Sequence, residues 1–336
     1  MYVKDIGEFG FIRRISRGCL VRPKHVLKGI GDDAAAFVPS PGDVTLVTTD
    51  LLVERVHFLR DSTSGFNLGY KALAANLSDI AAMGGTAQEA FVSIAIPEDC
   101  PLDFLEDLYE GMKKLGAEFA VNLLGGDTTK SNLDLIINVA VVGSVPKDEI
   151  LYRHTAQPED AIFSTGFLGD SRAGLHLILN NIPVDSKEFM VLKDAHIFPK
   201  PYLREGRFLA RKRYAHAAID VSDGLSSDLG HILEESNVGA RLYAEKIPVS
   251  QNLKKFCDRF EFDPVDFALA GGEDYTLLCT IPTDKAEEAV RDYVREFNQP
   301  LYPIGEINDS GRLELVYPDG KMKQIKPTGW DHFKSV

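Results

Sequence analysis

The sequence predicts a mixed α/β protein with two domains. Along its 336 residues, apolar runs of strand length alternate with longer segments of helical periodicity, which is the pattern of an α/β fold. A hydrophobic content of 44% is sufficient for a sizeable core, and the length favours two domains. The polar segment 146–160 carries two prolines and marks the predicted boundary. The expected domains are therefore residues 1–145 and residues 146–336.

The first domain begins with strand signals and continues with two helices. Residues 44–52 form an apolar run that ends in polar residues, which predicts a strand. The Ala-rich segment from residue 68 ends at Gly84 and Gly85, which predicts a helix with a glycine stop. Residues 101–119 have the spacing of an amphipathic helix, and the runs 121–127 and 133–145 predict two further strands.

The second domain repeats an order of strand, turn and helix. Residues 161–179 begin with a short apolar run, pass through a Gly-rich turn and continue with helical spacing. Residues 217–236 show the same order. The sequence contains no repeat of fixed period and no low-complexity tract.

Acidic residues stand beside Gly, Ser or Thr in six short segments: GIGDD, TTD, NLSD, GGD, DVSDG and GGEDY. They supply Asp32, Asp33, Asp50, Asp79, Asp127, Asp220, Asp223, Glu273 and Asp274. Most follow an apolar run and lie where the backbone can turn sharply, which favours metal ligands over ordinary surface charge. Taken alone, none of these segments is specific, and a DD or GGD is more often a turn than a site.

Two polar residues within the predicted Ala-rich helix support the interpretation as a site. Asn76 and Asp79 lie among small apolar residues that permit close packing, and a buried helix rarely carries a carboxylate without a partner. The alternative is that both residues lie on an exposed helix face.

The type of ligand predicts the metal. Mg²⁺ prefers oxygen ligands and usually takes only a few from protein, so several carboxylates from different strand ends indicate more than one ion. Thr48 and Thr49 add hydroxyl or carbonyl oxygens beside Asp50, and the glycines of GIGDD and GGD allow close approach to a phosphate or metal. The segment GGDTTKS lacks the glycine before lysine and the spacing of a P-loop.

Composition narrows the function classes. The net charge is −13 and there is no Lys/Arg block, so nucleic acid is not an expected partner. The four cysteines are widely separated, which predicts reduced core residues rather than disulfides or a zinc site. The N-terminus lacks a signal-peptide pattern, and no apolar run has the length of a membrane span. These features predict a cytoplasmic protein without a membrane partner.

Taken together and in order, the acidic segments resemble a known family. GIGDDAAAF, TTDLLVERVHF, YKALAANLSDIAAMGG, LLGGDTTKS, DVSDGL and GGEDYTLL resemble the thiamine-monophosphate kinases, in the superfamily that includes aminoimidazole ribonucleotide synthetase and selenophosphate synthetase. The resemblance extends from GEFGFI at residues 7–12 to GWDHF at residues 329–333 and covers essentially the whole chain.

The resemblance implies an activity and a fold. The implied reaction is ATP- and Mg²⁺-dependent phosphorylation of thiamine monophosphate to thiamine diphosphate, by direct in-line transfer without a phosphoenzyme, so no catalytic nucleophile is expected. Magnesium ions would relieve the repulsion between two anionic reactants. The implied fold has two aminoimidazole-ribonucleotide-synthetase-like domains. The N-terminal domain would bind ATP and magnesium and form a homodimer, and the C-terminal domain would complete the nucleotide and substrate site.

The family's motifs also imply residue roles. The implied magnesium ligands are Asp33, Thr48, Thr49, Asp50, Asp79, Asp127, Asp220 and Asp223. The implied ATP contacts are Tyr109, Gly126, Asp127, Arg153 and Ser222, and the implied substrate contacts are His57, Glu273 and Trp330.

Several of these residues have an alternative interpretation. The spacing of Tyr109 favours a core residue, and Arg153 could be a surface charge of the linker. His57 could be a satisfied structural histidine, and Glu273 a helix N-terminal acid. Trp330, the single tryptophan, could stack on a thiazolium or pyrimidine ring or could anchor the tail.

Two rival functions are left open by the residues. One is another ATP enzyme of the superfamily, although Cys19 lacks the Gly-rich setting expected in a selenophosphate synthetase. The other is a non-catalytic, metal-dependent nucleotide-binding protein, which a turnover assay would distinguish from a kinase.

Overall fold

The computed structural model describes residues 1–31, 34–184, 186–326 and 328–329. The chain divides into two compact units. The first comprises residues 1–80 and 85–148, and the second comprises residues 81–84 and 149–336. The sequence-predicted domain boundary at residues 145 and 146, and the roles assigned to the two domains, stay predictions.

The first unit is built around a four-stranded mixed sheet with helices packed on one face. Its elements in chain order are α1 (Val3–Ile15), β1 (Val26–Lys28), β2 (Ala36–Phe37), β3 (Asp43–Val53), α2 (Gly65–Ala82), β4 (Thr86–Pro97), α3 (Leu102–Phe119), β5 (Asn122–Ser131) and β6 (Ile136–Pro146). The strand order is β3-β6-β4-β5, in which β4 and β5 are parallel and the other pairs are antiparallel. β3 and β5 therefore form opposite edges of this sheet, while β1 and β2 form a separate small ribbon.

Helix α2 is buried on nearly all sides. Ala72, Leu73, Ala74 and Leu77 have no exposed surface. A Cβ at Gly69 would meet the backbone oxygen of Leu108 at 1.8 Å, so glycine is required where α2 crosses α3 closely. The small residues that the sequence shows in this helix are thus explained by tight packing between two helices and a sheet.

The second unit is built around a seven-stranded mixed sheet. Its elements are β7 (Ala161–Ser164), α4 (Asp170–Leu179), α5 (Lys187–Ile197), α6 (Leu203–Arg211), β8 (Ala217–Asp220), α7 (Leu225–Ser236), β9 (Gly239–Tyr243), α8 (Gln251–Phe260), α9 (Pro264–Ala270), β10 (Leu277–Ile281), α10 (Thr283–Phe297), β11 (Tyr302–Asn308), β12 (Leu313–Val316) and β13 (Met322–Gln324). The strand order is β13-β12-β9-β11-β7-β10-β8. Among the described strand pairs of this sheet, β12 and β9 are parallel and the others are antiparallel.

Helices cover both faces of this sheet. Successive residues of β7, Ile162 and Phe163, belong to two different core clusters, because side chains alternate across a strand. Helix α7 packs into the first cluster, and α6 and α10 pack into the second. A third cluster is formed by α4, α5, α8 and α9 around Phe256. The predicted order of strand, turn and helix is therefore confirmed at β7 and α4 and again at β8 and α7.

None of the helices in the described part of the chain combines the length and the apolar composition needed to cross a bilayer. All four cysteines are buried, which confirms the prediction that they are core residues.

Candidate active site

In the first unit, strand β3 and helix α2 bring three predicted metal ligands together. Side chains alternate along β3, so Thr48 and Asp50 share the face that also carries the buried Leu46 and Leu52. The hydroxyl of Thr48 donates a hydrogen bond to the carboxylate of Asp79 on α2. Thr48, Asp50 and Asp79 therefore form one cluster of oxygen atoms.

The electrostatics of this cluster are those of crowded carboxylates. The pKa of Asp50 is raised to about 6, mainly by burial and in smaller part by the charge of Asp79. Asn76 lies one helical turn before Asp79 and is fully buried. Its Nδ2 donates to the carbonyl of Ala72 at 3.1 Å, and its Oδ1 has no hydrogen-bond partner among the described residues. Asn76 is thus a buried polar residue, as the sequence predicts, rather than part of an exposed helix face.

Thr49 lies on the opposite face of the sheet from Thr48 and Asp50. Its Oγ1 accepts a hydrogen bond from Nδ2 of Asn138 on β6 at 2.8 Å, and the same amide donates to the backbone oxygen of Asp50 at 3.0 Å. The TTD segment therefore presents oxygen atoms to both faces of the sheet.

Asn138 is a residue that sequence reasoning missed, because a single polar residue in an apolar strand gives no sign of its partner across the sheet.

Gly126 and Asp127 lie on β5, at the edge opposite to β3. Asp127 pairs with Ser93, Ser93 with Asn138, and Asn138 with Leu51, so the exposed side chain of Asp127 shares the face of Thr49. Three strand spacings, roughly 14 Å, separate the two edges. Within one chain, Asp127 is therefore not part of the Thr48, Asp50 and Asp79 cluster.

Gly126 permits a backbone conformation that other residues would not. Its φ of +149° lies in a region that favours glycine, and an added Cβ would meet the carbonyl oxygen of Val92 at 1.8 Å. The glycine thus brings β5 unusually close to β4 at the position immediately before Asp127.

His57 lies in the turn that follows β3. The backbone N–H of Val53 donates to Nδ1 of His57 at 3.0 Å, so the neutral ring carries its proton on Nε2. The imidazole is held by its own turn and can present an N–H donor at Nε2. This geometry is compatible both with the structural interpretation and with substrate binding.

Tyr109 lies in the core of the first unit. Its ring is 4% exposed and packs edge-on against Phe11, with ring centroids 5.9 Å apart. Burial raises the pKa of its phenol far above the usual value. This position favours the core interpretation that the helical spacing suggests, and a contact with ATP stays a prediction.

In the second unit, the loop after β8 carries the acidic segment DVSDG. Asp220 ends β8 and is 2% exposed. The backbone amides of Asp223 and Gly224 donate to one oxygen of Asp228, at 3.1 and 2.9 Å. Burial raises the pKa of Asp228 to about 8, with further contributions from Asp220 and Asp223. Helix α7 thereby adds the carboxylate of Asp228 to those of Asp220 and Asp223 in the loop.

Asp228 and His231 were missed by the sequence reasoning. One ligand atom each from Asp223, Asp228 and His231 lies within 4.8 Å of the others. The sequence does contain one indication of this group: Asp228 and His231 are three residues apart, which places both on one face of a helix. Because both lie inside a regular helical pattern, the spacing alone does not distinguish them from ordinary helix residues.

The segment GGEDY lies against this loop. The backbone N–H of Glu273 donates to the carbonyl of Ser222, and that of Tyr275 to the carbonyl of Val221, both at 2.8 Å. Ser222, Asp223 and Glu273, predicted from distant parts of the sequence, are thus brought together. Glu273 lies between α9 and β10 rather than at a helix N-terminus, so the alternative of a helix-dipole acid is wrong.

Asp274 has a different role from the one its segment suggests. Its two carboxylate oxygens accept hydrogen bonds from the backbone amides of Gly169 and Ser171, at 2.6 and 3.1 Å, where α4 begins. Burial raises the pKa of Asp274 to about 8, against the lowering effect of these two amides. Asp274 therefore caps a helix, which is a structural role for one acid of the six segments.

Of the remaining predicted site residues, the structure describes Arg153 but not Asp33 or Trp330. Arg153 is exposed, and its carbonyl accepts a hydrogen bond from Ser236 at 2.8 Å. Asp33 and its neighbour Asp32, together with Trp330, lie outside the described residues. Gly329, immediately before Trp330, packs so closely on the second unit that an added Cβ would meet the backbone oxygen of Asp223 at 2.7 Å.

The donor groups fit magnesium. The first unit offers hydroxyl and carboxylate oxygens from Thr48, Asp50 and Asp79, the hard ligands that Mg²⁺ prefers. Burial and neighbouring carboxylates raise the pKa of Asp50 and of Asp228, and a divalent cation would offset both effects. The thiols are unsuited to this role, because burial raises the pKa of both Cys19 and Cys257 to about 11.

Comparison with known proteins places this arrangement in a family. Residues 31–145 match the model of AIR synthase related protein, N-terminal domain, and residues 157–318 match that of the C-terminal domain. Thiamine-monophosphate kinase of Haemophilus influenzae is 40% identical over 339 residues, covering 98% of each chain.

Solved structures agree with the sequence comparison. A crystal structure of thiamine-monophosphate kinase from Stenotrophomonas maltophilia K279a superposes with a TM-score of 0.83 at 34% identity, covering 94% of this chain and 98% of the other. A structure of AaThiL complexed with AMPPCP and TMP superposes with a TM-score of 0.79 at 34% identity, covering 99% of each chain. The fold class and the kinase family predicted from the sequence are confirmed. The chain belongs to the AIR synthase related proteins and, among them, to the thiamine-monophosphate kinases.

Proposed function

We propose that this chain transfers the γ-phosphoryl group of ATP to thiamine monophosphate, forming thiamine diphosphate and ADP. The observation that carries the proposal is the oxygen cluster of Thr48, Asp50 and Asp79, in a chain whose relative of 34% identity has been solved with AMPPCP and TMP. The acids suit a nucleotide that arrives with divalent cations, since an acidic site repels bare phosphates.

The transfer proceeds directly between the two substrates. An oxygen of the thiamine phosphate forms a bond to the γ-phosphorus as the bond from that phosphorus to the β,γ-bridging oxygen breaks, and ADP leaves with the electron pair. A phosphate monoester has a second pKa of about 6, so the attacking oxygen is already deprotonated at pH 7.5. The reaction therefore needs neither a general base on the acceptor nor a protein nucleophile.

The protein's own residues bind and orient the reactants. Asp50 and Asp79 would hold magnesium, which neutralises charge on the transferring group when bound. Asp33, Thr48, Thr49, Asp127, Asp220 and Asp223 are the further proposed ligands. The proposed ATP contacts are Tyr109, Gly126, Asp127, Arg153 and Ser222. Of these, Tyr109 is the one whose burial favours a core role instead.

His57, Glu273 and Trp330 are proposed to bind the thiamine moiety. The Nε2 proton of His57 suits the phosphate or a ring acceptor. The Glu273 carboxylate suits a cationic or amino-bearing heterocycle. The aromatic face of Trp330 suits stacking on such a ring.

A homodimer is part of the proposal. Thr49 and Asp127 share one face of the four-stranded sheet but lie at opposite edges of it. Val47 and Leu51 of β3 lie on the same face and are 69% and 53% exposed. A second copy packed on this face would bury these apolar side chains, and it would place oxygen ligands of one copy near those of the other.

The experiment is a turnover assay with purified protein, ATP, Mg²⁺ and thiamine monophosphate, with free thiamine as a parallel acceptor. Thiamine diphosphate formed only from the monophosphate supports the proposal. Magnesium-dependent ATP binding with no product from either acceptor would contradict it and favour a nucleotide-binding protein. A pre-steady-state search for phosphorylated protein tests the mechanism, and a phosphoenzyme that forms and decays at the rate of turnover would exclude direct transfer.

A further inference from the structure

The segment between α9 and β10 holds two residues in an unfavourable backbone conformation. Glu273 has a φ of +62° and Tyr275 a φ of +53°. Residues other than glycine rarely adopt this left-handed region, because their Cβ is crowded by the backbone there. Such a conformation persists only where surrounding interactions fix it, so the contacts of residues 273–275 must hold this backbone in place.

Asp274, the residue between them, supplies one set of those contacts. Its two carboxylate oxygens accept the amides of Gly169 and Ser171 at the beginning of α4. These amides are among the groups that a helix leaves without intrahelical partners, and they carry partial positive charge. Asp274 therefore ties the strained segment to a helix that belongs to a different part of the unit.

His196 on α5 supplies a second contact. Its Nδ1 lies 3.1 Å from Oγ of Ser171 and 3.3 Å from Oε2 of Glu273. The histidine is 8% exposed, and its helix packs on α4 and α8 through the aromatic cluster around Phe256. Ser171 thus links the two sets of contacts, because its backbone amide donates to Asp274 and its hydroxyl lies against His196.

The contacts form a closed loop that runs through both side chains and backbone and includes the carboxylates of Asp274 and Glu273. The sequence Asp274, Ser171, His196 and Glu273 returns to its starting point through the peptide bond between residues 273 and 274. The backbone N–H of Glu273 is fixed separately by the carbonyl of Ser222. The backbone of Glu273 is thus fixed on both sides, and His196 meets its carboxylate, so the carboxylate is preorganised before any ligand binds.

We infer that Asp274 and His196 are positioning residues for Glu273, which they hold in the orientation that binds the organic part of the acceptor substrate. The inference rests on the proposed function, in which Glu273 contacts the thiamine moiety. Asp274 and His196 do not themselves touch the substrate. They act by removing the conformational freedom that Glu273 would otherwise lose on binding.

The test compares Asp274→Asn with Glu273→Gln and the double variant. The asparagine can accept only one of the two amide hydrogen bonds. Asp274→Asn is expected to raise the KM for thiamine monophosphate about tenfold while changing the KM for ATP less than about twofold. In the Glu273→Gln background the same substitution should add less than about twofold, because a residue that acts through Glu273 has nothing further to position.

His196 offers a test by conservative rescue. The amide nitrogen of Asn can occupy the position of Nδ1, so His196→Asn should retain most of the affinity for thiamine monophosphate, whereas His196→Ala should not. The matched control is Asp160→Asn, since Asp160 is also a buried carboxylate of the second unit that accepts a backbone amide and pairs with a histidine. This variant should lower stability to a similar degree and leave both KM values unchanged.

The outcomes separate the two proposals. A wild-type protein that neither turns over nor binds thiamine monophosphate would overturn the proposed function, and the positioning role with it. An active wild type in which Asp274→Asn raises both KM values equally, or has its full effect in the Glu273→Gln background, would overturn the positioning role alone. Measuring the dissociation constant of thiamine monophosphate in the presence of AMPPCP gives the same comparison independently of turnover.

Discussion

The carboxyl groups of Asp50 on β3 and Asp79 on α2 lie near each other at a partly buried position, where burial and then the charge of Asp79 raise the pKa of Asp50 to about 6. The hydroxyl of Thr48 donates to Asp79 and so holds one member of the pair in place. An arrangement of this kind opposes folding when both acids are ionised and favours a divalent cation that offsets their charge.

Asp50→Asn should stabilise the magnesium-free protein at neutral pH. The folded-state pKa of Asp50 is raised above its ordinary value, so the contribution of this one group to the stability of the wild type is fully present below about pH 4 and is lost as the pH rises through about 6. At about 1.4 kcal/mol per pKa unit, discounted for partial exposure, the variant should gain about 2 kcal/mol at pH 7.5 and nothing at pH 4. Calorimetric unfolding in EDTA at both pH values measures the difference.

The control for this prediction is Asp43→Asn, which removes an exposed carboxylate from the same strand. Its unfolding temperature should differ little from that of the wild type at either pH. If Asp50→Asn were destabilising at pH 7.5, Asp50 would have a stabilising partner that outweighs burial and Asp79.

Asp79→Asn should reduce catalysis far more than it reduces stability. The asparagine keeps an oxygen that can accept from Thr48, but it loses the charge that holds a hard cation. We expect kcat/KM to fall at least about 100-fold and the magnesium concentration for half-maximal rate to rise. Asp107→Asn, on the exposed surface of α3, is the control and should have neither effect. Near-normal turnover of the Asp79 variant at saturating magnesium would remove Asp79 from the proposed ligands.

Much of the fold follows from local pattern. The strand predicted at 44–52 and the helix predicted at 101–119 agree with β3 (Asp43–Val53) and α3 (Leu102–Phe119) to within a residue or two, because alternation and amphipathic spacing are properties of the segment itself. The burial of Asn76 also follows from its surroundings in α2, since small apolar residues on all sides leave little exposed surface.

The pairing of distant residues does not follow from local pattern. Nothing in the segment TTD shows that Thr48 faces α2 while Thr49 faces Asn138, because the register between β3 and β6 is set by the whole sheet. Likewise, Glu273 and Asp274 are neighbours in sequence, but one carboxylate meets His196 and the other meets the amides that begin α4. Charge and glycine content locate the acidic segments, and tertiary packing determines which acid binds and which supports the backbone.

Gly126→Ala should be strongly destabilising, whereas Gly125→Ala should not. At Gly126 the φ of +149° and the carbonyl of Val92 at 1.8 Å from an added Cβ require β5 to move away from β4. At Gly125 the nearest atom would be a carbon of the Phe91 ring at 3.4 Å, which is an ordinary contact. We expect a loss of ~2–4 kcal/mol for the first variant and less than about 1 kcal/mol for the second, measured by urea unfolding. Equal effects of the two substitutions would show that the close approach of β5 to β4 is not important for stability.

Leu51→Lys should disrupt the proposed homodimer. Leu51 is 53% exposed on the sheet face that also carries Val47, Thr49 and Asp127. A lysine at this position would have to give up hydration of its charge against the apolar side chains that the proposed interface buries. The variant is expected to elute as a monomer in size-exclusion chromatography with light scattering, while the wild type elutes as a dimer. Leu179→Lys replaces a leucine of similar exposure, 55%, on α4 and should leave the oligomeric state unchanged. If the wild type is dimeric and Leu51→Lys remains so, the interface lies on another surface. The proposed roles of Thr49 and Asp127 as magnesium ligands would then have to be met without ligands from a second copy.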